Sequence, residues 1–178
     1  MKSVFIYISL ASTLLFSCGP KESKENDQKY IDANELKKQL EEVQQPSIKM
    51  ENDNIDSYIK QHQLQMQTTG SGLRYAIVKE NVKGKQLVSM DEITVKYKVS
   101  LLDGTLCYTS EKTGQKKIKI DMDNVESGLH QGLKLMKVGE KAIFILPSHL
   151  AHGLTGDNNL IPPKASVFYE IEVTEKNN

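Results

Sequence analysis

Few residues in this chain of 178 have side chains that could support metal or nucleophilic chemistry: four histidines and two cysteines. His149 and His152 are three residues apart, but no Cys, Asp or Glu lies within a few residues to complete a zinc site. Cys107 is a lone cysteine after a strand pattern, where a small buried hydrophobe is more usual than a reactive thiol. The sequence therefore predicts neither a metal site nor a cofactor.

The other cysteine, Cys18, ends an apolar run at the start of the chain. Residues 1–17 combine an early lysine, an apolar stretch from residue 4 to residue 16 and a small residue before the cysteine. This stretch is too short to span about 30 Å of hydrocarbon as a helix, so it predicts a cleaved secretory signal peptide. Residues 15–18 resemble the lipobox of bacterial lipoproteins, which implies a lipid on Cys18. The alternative is an ordinary signal peptide with an incidental cysteine.

The charges of the chain balance, with 23 basic and 23 acidic residues. Residues 1–17 contain one lysine, so their removal leaves one net negative charge. A nucleic-acid-binding protein needs a basic excess to neutralise phosphates, and nucleic acid is therefore not expected as a partner. If Cys18 carries lipid, Cys107 has no disulfide partner, and the fold depends on its core alone.

The segments that must position any site fall into a polar N-terminal part and a domain. Residues 18–50 are rich in Lys and Glu, which predicts a lipidated, solvated tether with a short helix possible over residues 34–45. Residues 51–69 place apolar side chains on or near one face and predict a helical extension that packs on, or leads into, the domain. Residues 70–178 then form the domain itself.

Strand patterns dominate residues 70–178. The strongest is residues 93–101, which place five apolar residues at period two. Further strands are predicted over residues 73–78, 117–122, 141–146 and 167–173. Residues 125–136 carry the apolar stripe of an amphipathic helix. Strands with one intervening helix indicate an α+β domain, in which an antiparallel sheet is covered by that helix.

Seven short motifs within residues 73–175 occur in a recognisable order. They are Val95-Lys96-Tyr97, Leu102-Asp103-Gly104, residues 128–133, residues 136–142, Leu146-Pro147, Gly153 and Ile161-Pro162-Pro163. In this order and spacing they resemble the FK506-binding-protein (FKBP) type of peptidyl-prolyl cis-trans isomerases. The resemblance implies an antiparallel sheet of five or six strands that curls around one short helix, with a shallow pocket between them for a proline ring.

The resemblance also implies which residues form that pocket. Catalytic positions are Tyr97, Tyr108, His152 and Tyr169, and substrate-binding positions are Cys107, Val125, Glu126, Leu129, Leu160 and Ile161. Several of these differ from the family's usual residues, which are Phe-Asp at 107–108, an aromatic residue at 129, Tyr at 152 and Phe at 169. The differences imply a weakened pocket, in which His152 replaces a tyrosine hydroxyl as donor and Leu129 offers less apolar area.

The function that the resemblance implies is prolyl isomerisation in exported or membrane-anchored proteins. Its partners would be proline-containing polypeptides, a bacterial membrane reached through Cys18 on the periplasmic or cell-surface side, and FK506-like macrolides with reduced affinity. The alternative is a non-catalytic binding or chaperone lipoprotein that kept the fold. The order of lipobox, tether, helix and domain also resembles the gliding-motility-associated lipoprotein isomerases, which suggests a motility or surface machinery.

Overall fold

The computed structural model describes the backbone of residues 32–177 and, except at residues 40–44, their side chains. The predicted signal peptide, the predicted lipidation site at Cys18 and the first part of the predicted tether lie outside the described residues. Within residues 32–177, no helix is both long and apolar enough to cross a membrane.

The N-terminal helix is longer than the sequence pattern indicates. Helix α1 runs from Ala33 to Gln61 without interruption, so it begins well before residue 51 and ends before residue 69. Lys, Glu and Gln are good helix formers, and the polar composition that suggests a tether therefore also suits an exposed helix. Pro46 lies inside α1 although it has no N–H to donate. Residues 45–50 are exposed, and burial begins only in the last part of the helix.

The domain is built on one antiparallel sheet, as predicted. Its strands are β1 (Gln67–Thr68), β2 (Arg74–Lys79), β3 (Glu92–Leu101), β4 (Leu106–Thr109), β5 (Lys116–Lys119), β6 (Lys141–Leu146) and β7 (Val167–Asn177). Their order is β1-β2-β6-β7-β3-β4, and β5 pairs with β3 beyond the end of β4. The sheet has seven strands rather than five or six because the two-residue β1 joins its edge and β4 and β5 share one partner.

Two predicted elements are shorter in the structure. Strand β5 ends at Lys119 rather than at residue 122, because Asp121 has a φ of 63° and cannot continue a strand. Helix α3 spans Ser127–Leu133 rather than residues 125–136. A helix of four residues, α2 (Ser110–Thr113), follows β4 and has no counterpart in the predictions.

Helix α3 covers the inner face of the sheet at very close range. A Cβ atom added at Gly132 would lie 2.6 Å from Cε2 of Phe144, and one added at Gly128 would lie 2.7 Å from Cγ of Leu146. Only glycine permits this approach, since both neighbours are fully buried in β6. Leu129 and Leu133 fill the space between α3 and the sheet. The pair of glycines therefore sets the depth of the inner face.

The last part of α1 packs on the opposite, outer face. Ile145 and Phe168 are paired neighbours on β6 and β7, and they point away from the inner face to which Phe144 and Tyr169 belong. The ring centroid of Tyr58 lies 5.7 Å from that of Phe168, and Ile55 is fully buried. The sheet is thus covered on both faces, by α3 inside and by α1 outside.

Candidate functional site

A cavity of about 560 Å³ opens between the inner face of the sheet, the start of α3 and the segment that joins β6 to β7. Its walls are Val95, Tyr97, Val99, Tyr108, Lys116, Ile118, Asn124, Val125, Glu126, Leu129, Ala151, His152, Asp157, Asn159, Tyr169 and Ile171. Seven of the ten residues assigned from the sequence line this cavity: Tyr97, Tyr108, Val125, Glu126, Leu129, His152 and Tyr169.

The floor of the cavity is apolar. Leu129 of α3 is only 3% exposed and lies against the core. Alternate residues of β3 and β7, such as Val95 and Ile171, point to the same face because side chains of a strand alternate. A ring that enters here loses its water and gains apolar contacts, worth about 25 cal/mol per Å² of apolar area removed from water.

Glu126 contacts polar side chains from two parts of the cavity wall, Tyr169 on β7 and His152 on the segment that joins β6 to β7. Its carboxylate accepts a hydrogen bond from the Tyr169 hydroxyl at 2.6 Å, and the same oxygen lies 2.9 Å from Nε2 of His152. Burial of Tyr169, together with the Glu126 carboxylate, raises the pKa of the tyrosine well above its ordinary value. The Tyr169 hydroxyl therefore stays protonated and serves as a fixed donor that orients Glu126.

Tyr108 and Asp157 form a second polar pair across the cavity mouth. The Tyr108 hydroxyl donates to Oδ2 of Asp157 and accepts from Nδ2 of Asn159 at 3.2 Å. Burial works to raise the pKa of Asp157, but hydrogen bonds from Tyr108 and from the N–H groups of Ile161 and Asn159 outweigh it and lower the pKa to about 2. In return, the bond to Asp157 raises the pKa of Tyr108. Asp157 is thus ionised throughout the neutral range.

The backbone N–H of Glu126 has no acceptor among the described residues. The Glu126 carbonyl, by contrast, accepts hydrogen bonds from Leu129 and His130 at the start of α3. The free N–H lies at the first turn of a helix, where donors without an intrahelical partner are expected, and Glu126 lines the cavity. A carbonyl group of a bound peptide can therefore pair with it.

Three of the residues assigned from the sequence do not line the cavity. Cys107 and Ile161 are buried, at 8% and 2% exposure, whereas Leu160 is about half exposed. The Cys107 thiol lies 3.8 Å from the carbonyl oxygen of Leu160, and burial raises its pKa. Cys107 and Ile161 therefore pack behind the cavity wall, and Leu160 lies on the surface beside it.

The sequence analysis missed several residues that line the cavity, among them Asp157, whose carboxylate is charged and accepts several hydrogen bonds. The Asp157 carboxylate accepts hydrogen bonds from the backbone N–H groups of Asn159 and Ile161, two and four residues later in the chain. Asp residues commonly stabilise turns in this way, so an Asp in a turn-forming segment is a local signal that could have identified Asp157. The turn closes tightly, since a Cβ added at Gly156 would lie 2.2 Å from the carbonyl oxygen of Ile161. Lys116 and Asn124, also on the lining, carry no such local signal.

The two histidines considered for a metal have different partners. His149 pairs with the carbonyl oxygen of Ser71 at 3.0 Å, whereas His152 pairs with Glu126. Within residues 32–177, no three side chains from His, Cys, Asp and Glu form a group that could hold a metal ion.

Residues 83–174 match the family model described as "FKBP-type peptidyl-prolyl cis-trans isomerase". This match begins before β3 and ends within β7, so it contains α3 and the whole cavity lining.

Curated relatives resemble the same part of the chain. The chain is 34% identical over 110 residues to the probable FKBP-type peptidyl-prolyl cis-trans isomerase FkpA of Neisseria meningitidis. The aligned region covers 62% of this chain and 40% of that protein. The chain is also 30% identical over 135 residues to FkpA of Escherichia coli, and that aligned region covers 71% of this chain and 49% of the relative. The chain thus spans less than half the length of these two relatives.

Solved structures of the same type are similar to this fold. The crystal structure of FkpA from Escherichia coli matches with a TM-score of 0.61 and 26% identity, covering 83% of this chain and 74% of that one. The crystal structure of AtFKBP13 matches with a TM-score of 0.59 and 25% identity, covering 64% of this chain and 99% of that one.

Proposed function

The chain belongs to the family of FKBP-type peptidyl-prolyl cis-trans isomerases, and we propose that it catalyses cis–trans isomerisation of X–Pro bonds in polypeptides. The observation that carries this proposal is the cavity itself. It combines an apolar floor around Leu129 with a backbone N–H at Glu126 that has no acceptor within residues 32–177 and with a loop side chain, His152, on the opposite wall.

The chemistry requires an environment rather than a reactive group. Rotation about an X–Pro bond has a barrier of about 18–20 kcal/mol, because resonance gives the C–N bond partial double-bond character. Water stabilises the polar planar imide more than the twisted transition state, so transfer into an apolar cavity lowers the barrier. Neither a nucleophile nor a metal takes part in this step.

Two groups would orient the substrate while the bond rotates. The N–H of Glu126 donates to a carbonyl of the bound peptide, and His152 acts as a second donor from the loop through a proton on Nδ1, because Nε2 faces the Glu126 carboxylate. The Glu126 carboxylate lies 2.9 Å from Nε2 of His152, which restrains the imidazole at the cavity rim. Tyr169, hydrogen-bonded to the same carboxylate, fixes this arrangement from the floor side.

The pocket is proposed to be weaker than that of relatives with an aromatic floor. Leu129 removes water from a proline ring, but it offers less contact area than an aromatic side chain and no ring face. The hydroxyl of Tyr108 and the carboxylate of Asp157 are bonded to each other, which leaves both with less capacity for a ligand. FK506-like macrolides are therefore expected to bind with reduced affinity.

The cellular setting proposed from residues 1–18 is an exported protein anchored by lipid on Cys18. Its clients would be exported or membrane-anchored proteins that fold with slow prolyl steps. Metabolic labelling with a fatty-acid analogue tests this: the wild-type protein should be labelled and Cys18→Ala should not. Equal labelling of both proteins would contradict the anchor.

A second candidate is a binding or chaperone lipoprotein without catalysis. The Tyr108–Asp157 bond favours it, because it places a closed polar pair where a ligand would need open groups. A role in gliding motility belongs to this candidate and would be tested by gene deletion and a spreading assay, in which normal spreading counts against it.

Refolding of a protein whose slow phase is prolyl isomerisation separates the two candidates. Uncatalysed isomerisation takes about 10–100 s at 25 °C, so acceleration is readily observed. Catalysis predicts that the rate constant of the slow phase rises in proportion to the concentration of this protein. A chaperone without catalysis raises only the refolded yield, and an unchanged slow phase contradicts the isomerase proposal.

A further inference from the structure

One wall of the cavity is made by a long irregular segment. Residues 147–166, termed the pocket loop, join β6 to β7 and contain only a single turn of 3-10 helix, Ser148–Leu150. The pocket loop carries four lining residues: Ala151, His152, Asp157 and Asn159. A segment without regular hydrogen bonding depends on specific contacts to hold such side chains in place.

Glu51 of α1 binds both ends of the pocket loop. Its Oε1 atom accepts hydrogen bonds from the backbone N–H of Ser148 at 2.6 Å and from the hydroxyl of Ser166 at 2.7 Å. Its Oε2 atom accepts from the hydroxyl of Ser148 at 3.0 Å. A single carboxylate, remote in sequence, therefore joins the point where the loop leaves β6 to the point where it enters β7.

Glu51 is itself held firmly. The residues just before it in α1 are exposed, whereas Ile55, one turn later, is fully buried on the outer face of the sheet. Arg74 of β2 donates to Asn52 at 3.0 Å and to Asp56 at 3.1 Å, on either side of Ile55. Glu51 is therefore the first residue of a docked helical segment, and the contacts around it can transmit a fixed position to the pocket loop.

We propose that Glu51 is a positioning residue for isomerisation: through Ser148 and Ser166 it fixes the pocket loop, and with it His152, relative to the floor of the cavity. The inference rests on the proposed isomerase function. Helix α1 lies before residue 83, where the family match begins, so the inference assigns a role in catalysis to a residue outside the matched region. The alternative is that Glu51 merely stabilises the fold.

The first test compares Glu51→Gln with a control on the same helix, in the full-length protein. Glutamine keeps one acceptor oxygen and replaces the other by an NH₂ group, so all three bonds lose the carboxylate charge that strengthens them, and the Ser148 hydroxyl keeps its contact only by accepting instead of donating. The matched control is Asp53→Asn, which removes a charge from the same helix that contacts the exposed Lys49 but not the pocket loop. We expect kcat/KM to fall about tenfold in Glu51→Gln, as a small misplacement of catalytic groups can do. Asp53→Asn should stay near wild type, and Glu51→Asp should be intermediate.

The route through the pocket loop is tested by a double-mutant cycle with His152→Ala. If Glu51 acts by placing His152, Glu51→Gln should change kcat/KM by no more than about twofold in the His152→Ala background. The same tenfold loss in both backgrounds would overturn the proposal.

Amide hydrogen exchange gives a readout that does not depend on activity. In Glu51→Gln, exchange should accelerate about tenfold at Ser148 and its neighbours in the pocket loop, while β3 and β7 keep their protection. Unchanged loop exchange, or acceleration spread over the whole sheet, would overturn the positioning role. If the wild-type protein lacks isomerase activity but its loop still loosens in Glu51→Gln, the proposed function fails while the structural coupling stands.

Discussion

The two sides of the cavity are built in different ways. The floor belongs to the inner face of the sheet and to α3, and it consists of apolar side chains that are also core residues. The opposite wall belongs to the pocket loop, whose two ends are hydrogen-bonded to Glu51 and whose side chains His152 and Asp157 contact Glu126 and Tyr108. Substitutions in the floor should therefore act mainly on folding, and substitutions in the loop wall mainly on catalysis.

The largest effect is expected where α3 meets the sheet. Gly132→Val forces at least one methyl-sized group to within 3 Å of the buried Phe144 ring, and overpacking of this kind costs about 1–3 kcal/mol. Urea unfolding should show this loss. The control is Gly70→Val, since a Cβ added at Gly70 meets nothing within 4 Å. Equal stabilities for the two variants would mean that the close approach of α3 does not constrain the fold.

On the loop side, His152→Ala should impair catalysis without unfolding the protein. Loss of one hydrogen bond to the substrate, worth about 1.5 kcal/mol, predicts a fall in kcat/KM of about tenfold, with little change in the thermal midpoint. His149→Ala is the matched control, because His149 lies on the same loop but pairs with Ser71 outside the cavity. Activity indifferent to His152→Ala would show that this residue has no role as a donor.

Much of the floor could be predicted from the sequence and little of the loop wall. Period-two patterns located β3 and β7, and the apolar stripe located α3, because burial of one face imposes a regular spacing. The bonds of Glu51 to Ser148 and Ser166 join residues about a hundred positions apart, and no local pattern marks such a contact. Asp157 was missed for a different reason: its turn signal was present, but the bond to Tyr108 that places it in the cavity is long-range.

A smaller effect is expected from restoring an aromatic floor. Leu129→Trp adds volume at a buried position and should lower stability, but in the folded protein it should lower KM for a proline peptide about threefold, because an aromatic contact adds about 0.5–1.5 kcal/mol beyond area burial. Leu129→Met, which changes volume little, serves as the control. A KM that rises in Leu129→Trp while the protein remains folded would indicate that the indole ring occupies the cavity and excludes the proline ring, rather than packing beneath it.

The smallest effect concerns acid stability. Because the pKa of Asp157 is about 2, below its usual value near 4 in an unfolded chain, the native state binds fewer protons in this range. The stabilisation is complete above about pH 4 and is lost as the pH falls toward 2. Asp157→Asn should remove this part of the acid dependence of the unfolding free energy, whereas Asp53→Asn, at an exposed position of α1, should retain it. Identical acid profiles for Asp157→Asn and wild type would contradict the lowered pKa.

The most direct measurement of the central claim is exchange NMR on a short Ala-Leu-Pro-Phe peptide with catalytic amounts of the full-length protein. It reads cis–trans interconversion without a coupled protease. Uncatalysed exchange takes tens to hundreds of seconds, so separate cis and trans signals are sharp. The account predicts exchange broadening or cross-peaks that grow with protein concentration and weaken in His152→Ala. Sharp, unexchanged signals in the presence of folded protein would contradict it.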